Sequence, residues 1–171
     1  MKPLLLLLLL CALVLGGCGY QVPGSAATWA GGEARTLHLD LFANRTREPL
    51  LENYLAEQLA YQLMRLRPVQ LRQDAASAEL SLVGTITDFN TGALAYDATD
   101  RISEYRVNMT CEAQLVRNRD GQVLWEMTLS RSDNFLAAVD KSVQMEAQEL
   151  AARRIASRLA EDLATRLLDS F

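Results

Sequence analysis

Few residues in this 171-residue chain can do covalent or proton-transfer chemistry. It carries one histidine, His38, and three cysteines, Cys11, Cys18 and Cys111. His38 falls on the polar side of the alternating segment "RTLHLDLF" (35–42), and no carboxylate stands at a recognisable relay spacing from it. No Cys/His set has metal-ligand spacing. There is no glycine-rich phosphate loop and no nucleophile elbow. Acidic pairs such as Glu161-Asp162 lie on the polar side of a helical pattern and read as solvation. The chain is therefore expected not to be an enzyme and to bind no metal. What remains is thiol chemistry at Cys18. This residue follows Gly16-Gly17 and the apolar run Leu4–Leu15, which only Met1-Lys2-Pro3 precedes. The run is too short to span a bilayer, which takes about 20 apolar residues, and it fits a secretory signal peptide. The two glycines let a peptidase reach the backbone. A sulfur nucleophile at the cut can carry a lipid through a thioether.

Leu15-Gly16-Gly17-Cys18 resembles the bacterial lipobox. Residues 1–17 are then a signal peptide, Cys11 is discarded with it, and Cys18 becomes the first residue, bearing diacylglycerol and an N-acyl chain. One acyl chain binds a membrane only marginally, whereas two or more anchor it stably. No other cofactor is expected. Gly19 stands where some bacterial lipoproteins carry an aspartate that retains them in the inner membrane, so the outer membrane is the expected location. Residues 18–34 include "QVPGSAATWAGG" (21–32) and read as the lipidated cysteine plus a linker. A dozen flexible residues span on the order of 20 Å.

Cys111 is then the remaining thiol. In "VNMTCEAQLV" it alternates in step with Val107, Met109, Ala113 and Leu115, so it is expected to point into the core as an inert side chain. The net charge is −4, and loss of Lys2 makes the mature chain one unit more negative. That argues against general nucleic-acid binding, which needs a basic face.

The elements that position these residues follow from periodicity. Residues 35–42 read as a strand with Leu37, Leu39 and Leu41 inward, and "ANRTREP" (43–49) as a turn. Leu51, Leu55, Leu59, Leu63 and Leu66 form a helical stripe that stops before Pro68. Short (69–72) and long (79–89, running on toward Tyr96) strands follow. "DATDR" (97–101) turns the chain into a strand at 103–116. Asp120-Gly121 signals a hairpin, and 123–132 returns with Val123, Trp125, Met127 and Leu129 on one face. Residues 133–141 read as a connection. A helix from about Ser142 buries Leu150, Ala151, Ile155, Leu159, Leu163 and Leu167. The order predicts one α+β domain over 35–171. It is a two-layer sandwich, with a mostly antiparallel sheet of four to five strands and both helices on one face. The other face is expected to be polar, with Thr85, Thr87, Asn108, Thr110, Glu112, Gln114, Glu126 and Thr128.

Several segments in this order carry a resemblance. They are Cys18-Gly19-Tyr20, "LHLDLFANRTREPLLENYLAEQL" (37–59), "AELSLVGTITDF" (78–89), "EYRVNMTCEAQLV" (104–116), "GQVLW" (121–125) and the terminal Ala/Arg/Leu helix. Together they resemble the LPS-assembly lipoprotein family LptE across essentially the whole mature chain. The resemblance implies an outer-membrane lipoprotein working with the β-barrel translocon LptD. It would plug the barrel lumen, help the barrel assemble and bind lipopolysaccharide on its way to the cell surface. Such a ligand needs cations beside apolar surface. The antiparallel order of the last three strands puts the 97–103 turn and the 133–141 connection at one end of the sheet. Arg101 and Lys141, with Ile102, Phe135 and Leu136, are therefore the first candidate contacts. Arg117 and Arg119, at the opposite end, come second. The motif "F-x-N-R-T" also resembles outer-membrane lipoproteins that activate cell-wall synthases, a second reading that the short linker disfavours.

Overall fold

The computed structural model describes residues 29–66 and 69–168; Cys18 and residues 1–17 lie outside these. The elements in chain order are β1 (Thr36–Leu39), β2 (Ala43–Asn44), α1 (Leu51–Leu66), β3 (Gln70–Arg72), a 3-10 turn (Ala75–Ser77), β4 (Leu80–Tyr96), β5 (Ile102–Arg117), β6 (Val123–Leu136) and α2 (Lys141–Leu168). One sheet runs β3-β1-β4-β5-β6, with β2 also paired to β4. The short β1, β2 and β3 pair in parallel, while β4, β5 and β6 form two long antiparallel hairpins. Both helices cover the apolar face, so the architecture is the expected α+β sandwich with one more strand than anticipated.

The extra strand has a physical origin. The 35–42 alternation breaks after Leu39, leaving Leu41 exposed and burying Phe42. The Phe42 ring occupies the space over Gly84, where a Cβ would collide with the ring and with the Glu112 carbonyl oxygen. The chain then resumes pairing as β2, with Ala43 opposite Thr85. A bulge between Ile86 and Asp88 resets β4 in the same way. Leu80, Leu82 and Ile86 point inward before it, and Phe89 packs on the core after it. Thr87 is the extra residue, and Asp88 and Asn90 take its place in the rows of the polar face. A second irregularity pairs Val116 with Val123 and Leu115 with Trp125, and Val123 is left exposed rather than inward.

On α1, Leu51, Leu55, Leu59 and Leu63 are fully buried. They meet α2 through Ala151, Ala152, Ile155, Ala156, Leu159, Ala160, Leu163, Ala164 and Leu167. The alanines let the two helices approach closely. Leu150 stands outside this stripe, exposed, because it falls on the outward row of α2 with Arg154 and Glu161. Cys111 is fully buried, as its alternation required, and burial pushes its thiol up to about 12, with the Glu112 charge adding to the effect.

The 43–49 turn is a hydrogen-bonded knot. Asn44 Nδ2 donates to the Glu48 carbonyl at 2.8 Å and to Glu52 Oε2 at 2.7 Å. Asn44 Oδ1 accepts from the Thr46 amide at 3.0 Å and hydroxyl at 2.8 Å. Gln148 of α2 donates to Glu48 Oε2 at 3.1 Å, joining the knot to the second helix. Leu50 follows with φ +67°, which sets the entry into α1. Asn44→Ala strands several half-buried partners, and each unpaired group costs about 1–3 kcal/mol. Urea denaturation is expected to show a loss of about 2 kcal/mol for Asn44→Ala, against less than about 0.5 kcal/mol for the exposed Asn53→Ala.

Candidate functional site

The two ends of the sheet differ in chemistry. β5 spans Ile102–Arg117, so at about 3.4 Å per residue they lie roughly 50 Å apart. At one end, the β4–β5 turn and the β6–α2 connection form an open groove of about 630 Å³. Its walls include Arg101, Ile102, Tyr105, Leu136, Val139 and Gln144. Tyr105 stacks on Phe135 with ring centroids 5.3 Å apart, and Phe135 itself is buried. Leu136 is 74% exposed and Val139 fully exposed, with Tyr96 also exposed at this end. This much unshielded aliphatic surface beside aromatic side chains is suited to an apolar ligand.

The structure brings Arg101 to this groove as expected. Its guanidinium lies 3.4 Å from Asp97 Oδ2, and its Nε donates to Thr99 Oγ1 at 2.9 Å. Asp97 organises the turn. Its carboxylate accepts from the Thr99 hydroxyl and from the Thr99 and Arg101 amides, which hold it below the usual carboxylate range. Lys141 does not line the groove. It opens α2 beside Asp140, whose carboxylate caps the helix by accepting from the Ser142 amide at 2.8 Å and hydroxyl at 2.5 Å. These hydrogen bonds likewise hold Asp140 below its usual range. Both candidate cations thus sit next to carboxylates, and the groove's stronger feature is apolar. β6 also runs on to Leu136, placing Phe135 and Leu136 in a strand instead of a connection. Val139 and Gln144 were not anticipated. The apolar run "FLAAV" (135–139) is the sequence signal for Val139.

The opposite end holds a groove of about 990 Å³, lined by residues that include Glu33, Ala76, Glu79, Arg117, Asn118 and Arg119. Arg117 and Arg119 come together as expected, but on a shared carboxylate. They lie 3.2 Å and 3.4 Å from Asp120 Oδ2, and Arg117 also donates to Gln122 Oε1 at 2.8 Å. Glu79 is occupied by the Arg35 and Thr36 amides and the Thr36 hydroxyl, which hold its carboxyl below the usual range. This end also receives the start of the described chain. Trp29, Ala30 and Ala34, within the span read as linker, pack on the core, and the Ala30 amide donates to the Leu167 carbonyl at 2.8 Å.

The face away from the helices is polar, with Asp88, Arg106, Glu112 and Glu126 set among amides and hydroxyls. Asn108 donates to Asn90 Oδ1 at 3.0 Å, Thr110 to Ser130 Oγ at 3.1 Å, and Gln114 to Glu126 at 3.4 Å. His38 lies at its margin, with Nδ1 3.2 Å from the Arg72 carbonyl. Among the described residues no group of three His, Cys, Asp or Glu could hold a metal ion, and no helix is long and apolar enough to cross a membrane.

Residues 34–167 match the family model described as "LptE: Lipopolysaccharide-assembly". No curated protein has a significantly similar sequence. The fold is similar to protein XCC0632 of Xanthomonas campestris, with TM-score 0.58 and 11% identity over 86% of this chain and 88% of that one. It is also similar to a candidate lipoprotein of Caulobacter crescentus, with TM-score 0.54 and 18% identity over 74% and 87%. A minor lipoprotein of Acinetobacter baumannii has TM-score 0.52 and 18% identity over 79% and 91%.

Proposed function

This chain belongs to the LptE lipopolysaccharide-assembly family, and from that premise we propose that it is an outer-membrane lipoprotein, anchored through Cys18, that presents lipopolysaccharide at its apolar tip while seated in an LptD-type β-barrel. The role is binding and assembly, without catalysis. The observation that carries it is the groove where Leu136 and Val139 stand open to solvent beside Ile102 and Tyr105, with Arg101 at the rim. Aliphatic walls suit the acyl chains of lipid A. Arg101 suits its phosphates through charge-assisted hydrogen bonds, and Lys141, which opens α2 at the same end of the sheet outside the groove lining, is a supporting cation. Arg117 and Arg119 rank second, because Asp120 already engages both.

Two further observations support the reading. The groove lies roughly 50 Å along β5 from the end of the sheet at which Trp29, the first described residue, packs. The described chain thus enters the domain at the end opposite the apolar tip. The polar sheet face, rich in Asn, Thr and Ser, matches the polar interior of a large barrel.

The test is to recover the full-length lipidated chain from outer membrane in mild detergent and identify what accompanies it. A large β-barrel at a one-to-one ratio is expected. A photoreactive side chain at position 139 should then label lipopolysaccharide. Recovery with a cell-wall synthase and no barrel would overturn the proposal and favour the activator reading.

A further inference from the structure

Strand β6 is the long edge of the sheet, the short β3 being the other. An open edge exposes a row of unpaired N–H and C=O groups that invites strand addition. The parity of that row can be read from the ends of the β5–β6 hairpin. The Ala137 amide donates to the Ser103 carbonyl on β5, so odd-numbered residues along this stretch face inward. No register shift interrupts the pairing from Trp125 to Leu136, so Glu126, Thr128, Ser130, Ser132, Asn134 and Leu136 present their backbone groups outward.

Within the strand, the usual protections are reduced to two charged side chains on its inward rows, Arg131 and Asp133. The edge is long, and between Trp125 and Leu136 it carries no proline, no lysine and no bulge. It is also self-compatible. An antiparallel pairing of β6 with its own copy, centred on Ser130, sets Thr128 against Ser132 and Glu126 against Asn134. No like charges face each other in that register, so cross-strand charge repulsion does not oppose the pairing.

The outward carbonyls are instead taken by arginines. Arg158 of α2 donates to the Ser132 carbonyl at 3.3 Å and Arg154 to the Asn134 carbonyl at 3.4 Å. Arg131 donates to the Ser130 carbonyl at 3.2 Å. Each guanidinium is also held by a carboxylate. Asp133 receives Arg154 through Nε and Arg158 at 3.5 Å, and Asp162 receives Arg131 at 2.7 Å. Asp133 is mostly buried while the arginines are about half exposed, so the clamp closes over the rim of the sheet.

We propose that Arg154 and Arg158, with Arg131, clamp the β6 edge shut against pairing with the β6 strand of a second copy. The planar guanidinium is suited to this, because its fork reaches a carboxylate and a carbonyl at once. The clamp occupies the acceptors from Ser130 to Asn134, which include the centre of the self-complementary register.

The experiment compares full-length chains in detergent by light scattering after size exclusion. Arg154→Ala with Arg158→Ala is expected to double the protein mass at high concentration, while Arg153→Ala, on the same helix but off the edge, stays monomeric. Adding Ser132→Pro removes only an outward amide, so it spares the β5–β6 ladder and should return the double variant to monomer. A folded double variant that stays monomeric overturns the proposal, as does a dimer that survives Ser132→Pro. If circular dichroism shows the double variant unfolded, Arg154→Lys with Arg158→Lys keeps the charges facing Asp133 but lacks the fork. Partial dimerisation is then expected, and a mass identical to the parent at every concentration overturns the proposal.

Discussion

Gly84→Val is expected to lower the unfolding free energy by about 3 kcal/mol, the sum of an overpacking cost of about 1–3 kcal/mol and partial exposure of one large aromatic side chain. A Cβ at Gly84 meets the Phe42 ring on one side and the Glu112 backbone oxygen on the other. The backbone of β5 cannot yield, because β5 pairs on both sides along its length. The ring must therefore leave. Phe42 is among the largest fully buried side chains, and its seat is what redirects the chain from β1 into β2. Gly92→Val is the matched comparison. It lies on the same strand, meets nothing within 4 Å, and should change stability by less than about 0.5 kcal/mol. Thermal and urea unfolding of the two variants read the difference directly. Equal stability would mean that Phe42 finds another seat and that the β1–β2 break has a different cause.

Leu136→Asp with Val139→Asp is expected to weaken lipopolysaccharide binding at least about tenfold, that is by about 1.4 kcal/mol or more. Full burial of each aliphatic side chain is worth about 1.5–3 kcal/mol, and an open groove realises only part of that. Both residues are already solvent-exposed, so the double change should leave unfolding unaltered. That separates lost binding from lost structure. Replacing Arg101 and Lys141 with Ala should cost less, a few-fold, and the effect should fade at high salt, because exposed charges next to carboxylates are worth at most about 1 kcal/mol. Binding of labelled lipopolysaccharide to the purified chain, at two ionic strengths, measures both. Undiminished binding by the Asp variant would remove the tip from consideration. A loss confined to the Arg101/Lys141 variant would mean that electrostatics dominates there after all.

The parts of the fold that sequence conveyed well are those governed by local period. β5 alternates cleanly from Val107 to Leu115, and the leucines of α1 recur at four-residue intervals, so burial followed pattern. The parts it obscured depend on distant partners. The β1–β2 break needs Gly84, some forty residues away. Asp133 and Asn134 look like turn residues, yet they lie in β6 because Arg154 and Arg158 satisfy them from α2. Leu150 adjoins the buried Ala151 in sequence, but it lies on the outward row of α2 with Arg154 and Glu161 and so is exposed. The candidate site divides in the same way. Antiparallel order placed Arg101 at the correct end with Ile102 and Leu136. The turn and cap hydrogen bonds that fix the carboxylates of Asp97 and Asp140 beside these cations follow only from geometry.

The bond between the Ala30 amide and the Leu167 carbonyl has a mechanical consequence. Any pull on a membrane tether reaches the domain at Trp29 and Ala30. It passes at once to the last turn of α2, and through β1 into strands that flank it on both sides. Parallel neighbours on either side resist such a pull in shear, with several bonds loaded together, instead of peeling one at a time. The part of the β4–β5 hairpin that forms the tip lies beyond Leu80–Ile86, the stretch of β4 that pairs with β1 and β2, and so outside this load path. Tension at the anchor can therefore be borne near the domain's root while the distal groove keeps its shape.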